Sequence, residues 1–335
     1  MRDRSKLTLR VPGDFDLPRA VCSYGYFLLA PNRWDRDAGA LYRVLRGRRG
    51  RRLTVRVTQR DRAGQPVRIA VDRKVDRDEA ASIRRDLVRM LRVDEDQRGW
   101  WRVSAAARQR GFGRLFRSPT LWEDMVKTIT GQNVTWTNTI TMNKLITEHA
   151  PRHGPKGAWP TPREMIRFGR DNLRSLCKVG YRADRIVRLA EAFADGSVDP
   201  DWFESPDRTT GELYDRLLRI HGFGDYAASN LLMLLGHYDR VAIDTETYRH
   251  WCKMHGLDRP ADPKTLHGDI ERYYNAFAPH QFKAYWFELW QGYEHVFGDA
   301  RRWDAHTDGP NFTAVTLNRK TANAKTPRRQ AAKKK

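Results

Sequence analysis

Asp244 is the residue of this sequence best placed to do chemistry. It closes the apolar run Val241-Ala242-Ile243 and precedes Thr245-Glu246-Thr247, where a helix carrying Tyr248 and Trp251 is predicted to begin. An aspartate there caps the helix, and the partial positive charge of the helix N-terminus favours the ionised carboxylate. An anion fixed at the edge of a core can stabilise positive charge developing on a sugar and orient a water. The competing reading is a plain cap worth about 1 kcal/mol of stability. Upstream, His221-Gly222-Phe223-Gly224 breaks a helical run. Glycines on both sides of Phe223 permit positive φ and a close approach of the backbone to a ligand. The amides of Gly222 to Gly224, just ahead of a helix N-terminus, form an anion site. On a chain of formal charge +21 the anion that fits is a nucleic-acid phosphate.

These groups need helices to hold them. Thr209 and Glu212 have capping-box spacing, and Leu213, Leu217, Leu218 and Ile220 are predicted to share one apolar face of the helix they open. Leu231 to Leu235 make the helix after the hairpin largely buried, with Gly236 at its C′ position. Earlier, Thr120 and Glu123 repeat the capping pattern, and Trp122, Met125, Val126 and Ile129 mark a buried face. That helix breaks at Gly131-Gln132-Asn133 and resumes through Trp136, Ile140 and Ile146. Pro151 to Pro162 reads as a connector, and Gly180-Tyr181-Arg182-Ala183 as a packing turn. From Phe282 to Phe297 the chain is dense in aromatics, among them Trp286, Trp290 and Tyr293.

Ahead of these helices, Lys6–Val11, Arg52–Thr58 and Val67–Val71 alternate as strands, and Asp76 to Leu91 reads as a helix with Ala80, Ile83, Leu87 and Leu91 on one stripe. The fold class expected is α+β: a small antiparallel-sheet domain over 1–104, then an all-helical domain over 105–305 with its hairpin at about 210–236. Residues 306–335 form a basic tail ending in Lys333-Lys334-Lys335, expected to be disordered and to bind phosphate without sequence preference. A second basic cluster, Arg46, Arg48, Arg49, Arg51 and Arg52, reads as solvated basic turns. With 335 residues, 40% of them hydrophobic, the chain can build two or three cores, and it contains no apolar run long enough for a membrane span. The expectation is a soluble monomer, cytoplasmic in a bacterium or nuclear in a eukaryote. Scattered Cys22, Cys177 and Cys252 can form neither a four-cysteine cluster nor a CxxC zinc site, and the histidines lack zinc-ligand spacing.

The hairpin Gly222-Phe223-Gly224, the apolar helix after it and Asp244 at this spacing resemble the helix–hairpin–helix, Gly/Pro, Asp superfamily of DNA glycosylases. Of its branches, the similarity is to the alkylated-purine and oxoguanine enzymes, whose N-terminal sheet domain has the same layout; the iron–sulfur branch is excluded by the cysteines. His221 stands where many members have proline. The resemblance implies a double-stranded DNA partner carrying a damaged base and a base flipped out of the helix. It implies that Gln132 and Asn133 fill the vacated stack or meet the opposite base, and that Trp286, Trp290, Tyr293 and His295 on the last helix line the base pocket. It also allows a Na+ or K+ ion held by the carbonyls of Leu218, Ile220 and Phe223, with no other cofactor. Members that cut the strand carry a lysine two residues after the second hairpin glycine; here that position is Tyr226, whose ring is expected against the base or sugar. The implied activity is monofunctional: hydrolysis of the glycosylic bond with Asp244, most readily of alkylated purines. Oxidised guanine or mismatched thymine or uracil is the alternative substrate, and a non-catalytic DNA binder or a basic RNA-associated protein the alternative class.

Overall fold

The computed structural model describes residues 4–60, 62–151, 156–304 and 307–308. Five antiparallel strands come first: β1 (Ser5–Leu9), β2 (Asn32–Asp35), β3 (Ala40–Arg46), β4 (Arg52–Thr58) and β5 (Val67–Val71), in the spatial order β1-β5-β4-β3-β2. Alternation sets their faces. Leu53, Val55 and Val57 of β4 point inward, and Val55 lies opposite both Val71 and Arg43. Arg43 therefore faces the core from β3, between Leu41 and Leu45.

Eight helices build and carry the site: α1 (Arg77–Leu91), α2 (Leu121–Thr130), α3 (Trp136–His149), α4 (Arg182–Ala194), α5 (Thr210–Leu218), α6 (Asp225–Leu235), α7 (Thr245–His255) and α8 (Gln281–Phe297). Asp76 caps α1, and the predicted stripe Ala80, Ile83, Leu87 and Leu91 is buried. The Thr209–Glu212 capping box forms in both directions. At α2 only half of the expected box forms. Thr120 accepts from the Glu123 amide, while the Glu123 side chain turns inward to Arg43 at 2.5 Å and Lys127 at 2.7 Å. The reason is placement: every residue of α2 is buried, not one face as its spacing implied, so Glu123 has no water to face and takes two cations. Burial alone would raise the Glu123 carboxyl, but Arg43 and Lys127 outweigh it and hold it below its ordinary value.

The larger core cluster runs from Leu9 to Trp303 and passes residue 104 without a break. A second cluster joins Trp100, Ile243, Trp251, Ile270 and Tyr285. Ala242 belongs to the first and Ile243 to the second, so Asp244 emerges at the seam between them. Leu218 departs from its predicted face and is exposed. Among the described residues no helix is long and apolar enough to cross a membrane. The basic tail lies outside the described residues except for Thr307 and Asp308.

Candidate active site

Asp244 occupies the N-cap of α7 with extended backbone angles. Its Oδ1 accepts from the Glu246 amide at 2.9 Å, the Thr247 amide at 3.0 Å and the Thr247 hydroxyl at 3.1 Å. The Thr247 hydroxyl is itself 3.0 Å from the Tyr285 hydroxyl of α8. One oxygen is thus fixed by the helix end, while Oδ2 has no protein partner among the described residues. Burial pushes the carboxyl above its ordinary range; the Thr247 amide opposes this and the neighbouring Glu246 charge adds to it.

Asp244 opens on a cavity of about 440 Å³, a volume suited to a planar heterocycle. One wall comes from α8: Trp286 and Trp290 lie 5.5 Å apart centre to centre, followed by Tyr293 at 6.3 Å from Trp290. Trp303, beyond the end of α8, closes this wall 4.8 Å from Trp290. Tyr226 enters from the first turn of α6, close enough to Asp244 and Tyr24 for their charges to add to the burial that drives its hydroxyl well above the usual tyrosine range. The far wall belongs to the sheet region, where the 3-10 turn Gly25–Leu28 presents Tyr24 and Tyr26. The Tyr24 hydroxyl donates to Asn230 Oδ1 at 2.7 Å, and Asn230 donates to Thr128 at 3.3 Å, which meets the Tyr26 hydroxyl at 3.0 Å. This polar chain ties the turn to α6 and α2. Gly25 permits the approach of Trp136, because a Cβ there would lie 2.9 Å from the indole ring.

The hairpin and the α2–α3 loop are braced together. Gly222 has φ +90°, and a Cβ on it would sit 2.6 Å from Arg185. Gln132 donates to the Gly222 carbonyl at 3.2 Å and accepts from Arg185 at 2.6 Å. Arg182 is buried and donates to the carbonyls of Gln132 and Asn133. Asn133 itself is exposed with φ +49°.

The structure thus brings Asp244, Tyr226, Trp286, Trp290 and Tyr293 around one cavity. His295 is a correction: it does not line the cavity and is exposed, because two residues along a helix from Tyr293 turn it by about 200°. Gln132 is another. Its side chain is buried with both amide ends bonded, so it braces the loop instead of projecting as a wedge; only Asn133 of the pair is free to project. The anion site is narrower than expected, since the Phe223 amide is used within the turn, donating to Ile220 at 3.1 Å, and the Phe223 side chain is buried. That leaves Gly222 and Gly224, the N-cap of α6, as the open part of the hairpin. The Ile220 oxygen that accepts this bond is one of the three, with those of Leu218 and Phe223, expected to hold a monovalent ion. Among the described residues no cluster of histidine, cysteine and carboxylate side chains could bind a metal, and the three cysteines are buried and unpaired. Sequence reasoning missed Tyr24, Gly25, Tyr26, Trp136, Asn230, Tyr285, Trp303 and Glu246 as cavity residues. The aromatic runs at Tyr24–Phe27 and Phe282–Phe297, the second of which holds Tyr285, offered the signal.

The sequence matches no family model and no curated protein. By fold it matches the 3-methyladenine DNA-glycosylase from Archaeoglobus fulgidus, with TM-score 0.65 and 18% identity over 88% of this chain and 100% of that one. It also matches the Clostridium acetobutylicum 8-oxoguanine glycosylase/lyase in its apo-form, with TM-score 0.62 and 14% identity over 86% and 97% of the two chains. The same Clostridium protein in complex with dsDNA containing cytosine opposite 8-oxoG gives TM-score 0.61 at 14% identity, over 87% of this chain and 99% of that one. The chain has the helix–hairpin–helix DNA-glycosylase fold, including the N-terminal sheet.

Proposed function

We propose that this protein is a monofunctional DNA N-glycosylase acting on alkylated purines in duplex DNA. The observation that carries the reading is Asp244: one oxygen fixed by three donors, the other without a protein partner among the described residues, at the mouth of an aromatic cavity sized for a base. The hairpin amides at Gly222 and Gly224 take a backbone phosphate, and Asn133 enters the gap left by the extruded nucleotide. The flipped base stacks among Tyr226, Trp286, Trp290 and Tyr293. As the C1′–N bond breaks, its electron pair leaves with the base and the sugar becomes oxocarbenium-like. Asp244 Oδ2 stabilises that charge and orients the water, whose oxygen bonds C1′ as one of its protons passes to Oδ2 and on to solvent. The face-on attraction of aromatic rings for cations favours bases that carry positive charge, which N-alkylation supplies to a purine. Tyrosine at position 226 supplies no amine, so base loss is not followed by strand cleavage. The protein acts as a monomer in the compartment that holds the DNA, the cytoplasm of a bacterium or a eukaryotic nucleus.

The test is base release from duplexes bearing 7-methylguanine, hypoxanthine, oxoguanine, uracil or mismatched thymine, with and without alkali, using wild type and Asp244→Asn. Release that needs alkali to break the strand, leaves no borohydride-trapped adduct and is lost in the variant supports the reading. Tight DNA binding with no release from any duplex would reduce the protein to a binder. Strand breakage without alkali would replace the monofunctional reading with a lyase.

A further inference from the structure

The cavity has a second carboxylate that the proposed chemistry does not use. Glu246 lines it two residues beyond Asp244, on the first turn of α7. Arg249, at i+3, grips both Glu246 oxygens, Nε at 2.8 Å and Nη2 at 2.5 Å, and the Tyr293 hydroxyl donates to Oε1 at 2.9 Å. Both charged side chains are mostly buried. Only Glu246 is among the residues that line the cavity; Arg249 lies outside them. The pair is therefore an oriented dipole with its negative end towards the space a base would fill and its positive end behind. Among the described residues the one cation that also lines the cavity is Lys127; it pairs at 2.7 Å with Glu123, a carboxylate it shares with Arg43, and burial pushes its ammonium below the ordinary lysine value.

We propose that Glu246, oriented by Arg249 and Tyr293, is a specificity-determining residue that makes the cavity discriminate in favour of bases bearing a formal positive charge over neutral lesions of similar size. Aromatic walls supply a weak, diffuse attraction for cations. A fixed carboxylate supplies a directed one, strong where water is excluded and nearly absent for a neutral ring. The inference rests on the glycosylase reading above.

Its test uses the full chain and two duplexes, one with cationic 7-methylguanine and one with neutral hypoxanthine, in single-turnover base release. Glu246→Gln keeps the size of the side chain and an oxygen for Tyr293, but removes the charge. It is expected to lower the ratio of cationic to neutral excision by roughly five- to tenfold. Arg249→Gln removes the positive end and is expected to shift the same ratio upward. Opposite shifts from the two halves of one ion pair are not what loosened packing produces, since that lowers both rates together. Equal losses on both substrates in Glu246→Gln, or a ratio moving the same way in both variants, would overturn the proposal while leaving the glycosylase intact. A wild type that excises hypoxanthine alone overturns it too, and a wild type that releases no base from any duplex overturns the glycosylase reading and this proposal together.

Discussion

Replacing Asp244 separates its two jobs, cap and charge, and the structure sets the size of each. Asparagine keeps an oxygen where Oδ1 now accepts from the amides of Glu246 and Thr247, and asparagine is as good an N-cap as aspartate. Asp244→Asn keeps the cap and removes the buried charge, so at neutral pH it is expected to be at least as stable as wild type. Asp244→Ala loses the cap and should cost about 1–2 kcal/mol, a fall of roughly 2–4 °C in melting temperature. The charge is another matter. A carboxylate about 4 Å from a developing cation, at an effective dielectric near 20, contributes about 4 kcal/mol to the transition state, or about a thousandfold in rate. Both variants should thus lose base release to the same extent while only alanine melts early. Single-turnover release from a 7-methylguanine duplex, beside thermal unfolding followed by circular dichroism, reads both quantities. The reasoning is refuted if Asp244→Asn keeps more than about a tenth of the wild-type rate. It is equally refuted if asparagine destabilises as much as alanine.

Three further outcomes are expected. Burial raises the Asp244 carboxyl above its ordinary value, so the acid limb of activity should lie at a higher pH than an ordinary aspartate would give, and Glu246→Gln should move that limb lower, which a pH–rate profile of both proteins decides. The stability effect runs the other way: the ionised form is disfavoured by folding, so this group costs stability above its raised value and none below the ordinary one. Gly25→Ala puts a methyl 2.9 Å from the Trp136 ring and should cost about 1–3 kcal/mol or displace the indole into the cavity, seen as a lowered melting temperature or a quenched rate. Finally, Gln132→Ala should lower stability by about 1–3 kcal/mol, because it unpairs Arg185, while Asn133→Ala should leave stability alone and slow base release; reversed results would return the wedge role to Gln132.

The parts of the site that were legible in the chain are those whose local rules and tertiary roles agree. Asp244 reads as a cap and is one, the hairpin breaks where its glycines stand, and the stripe of α1 is buried as its spacing says. Misreadings arose where a distant partner decided the outcome. β3 was hidden because Arg43 interrupts its apolar alternation, and only Glu123, far along the chain on α2, explains a charge on the inner face. The aromatic density of α8 concealed which side meets the cavity, so Tyr293 and His295 read alike although they lie on different faces. The wall formed by Tyr24, Gly25 and Tyr26 was illegible for a related reason: it belongs to the sheet region and reaches the cavity only when that region docks on α2 and α6.

The brace between the hairpin and the α2–α3 loop bears on the thermodynamics of encounter. Gln132, Arg182 and Arg185 fix the two loops to each other before any nucleic acid arrives. A surface that must order itself on contact loses conformational freedom at that moment, and its association is correspondingly weakened. Here much of that ordering is completed during folding, by side chains that never need to touch DNA. A duplex meeting this face would find a rigid template, and the deformation would fall on the DNA, whose base pairs must open, more than on the protein.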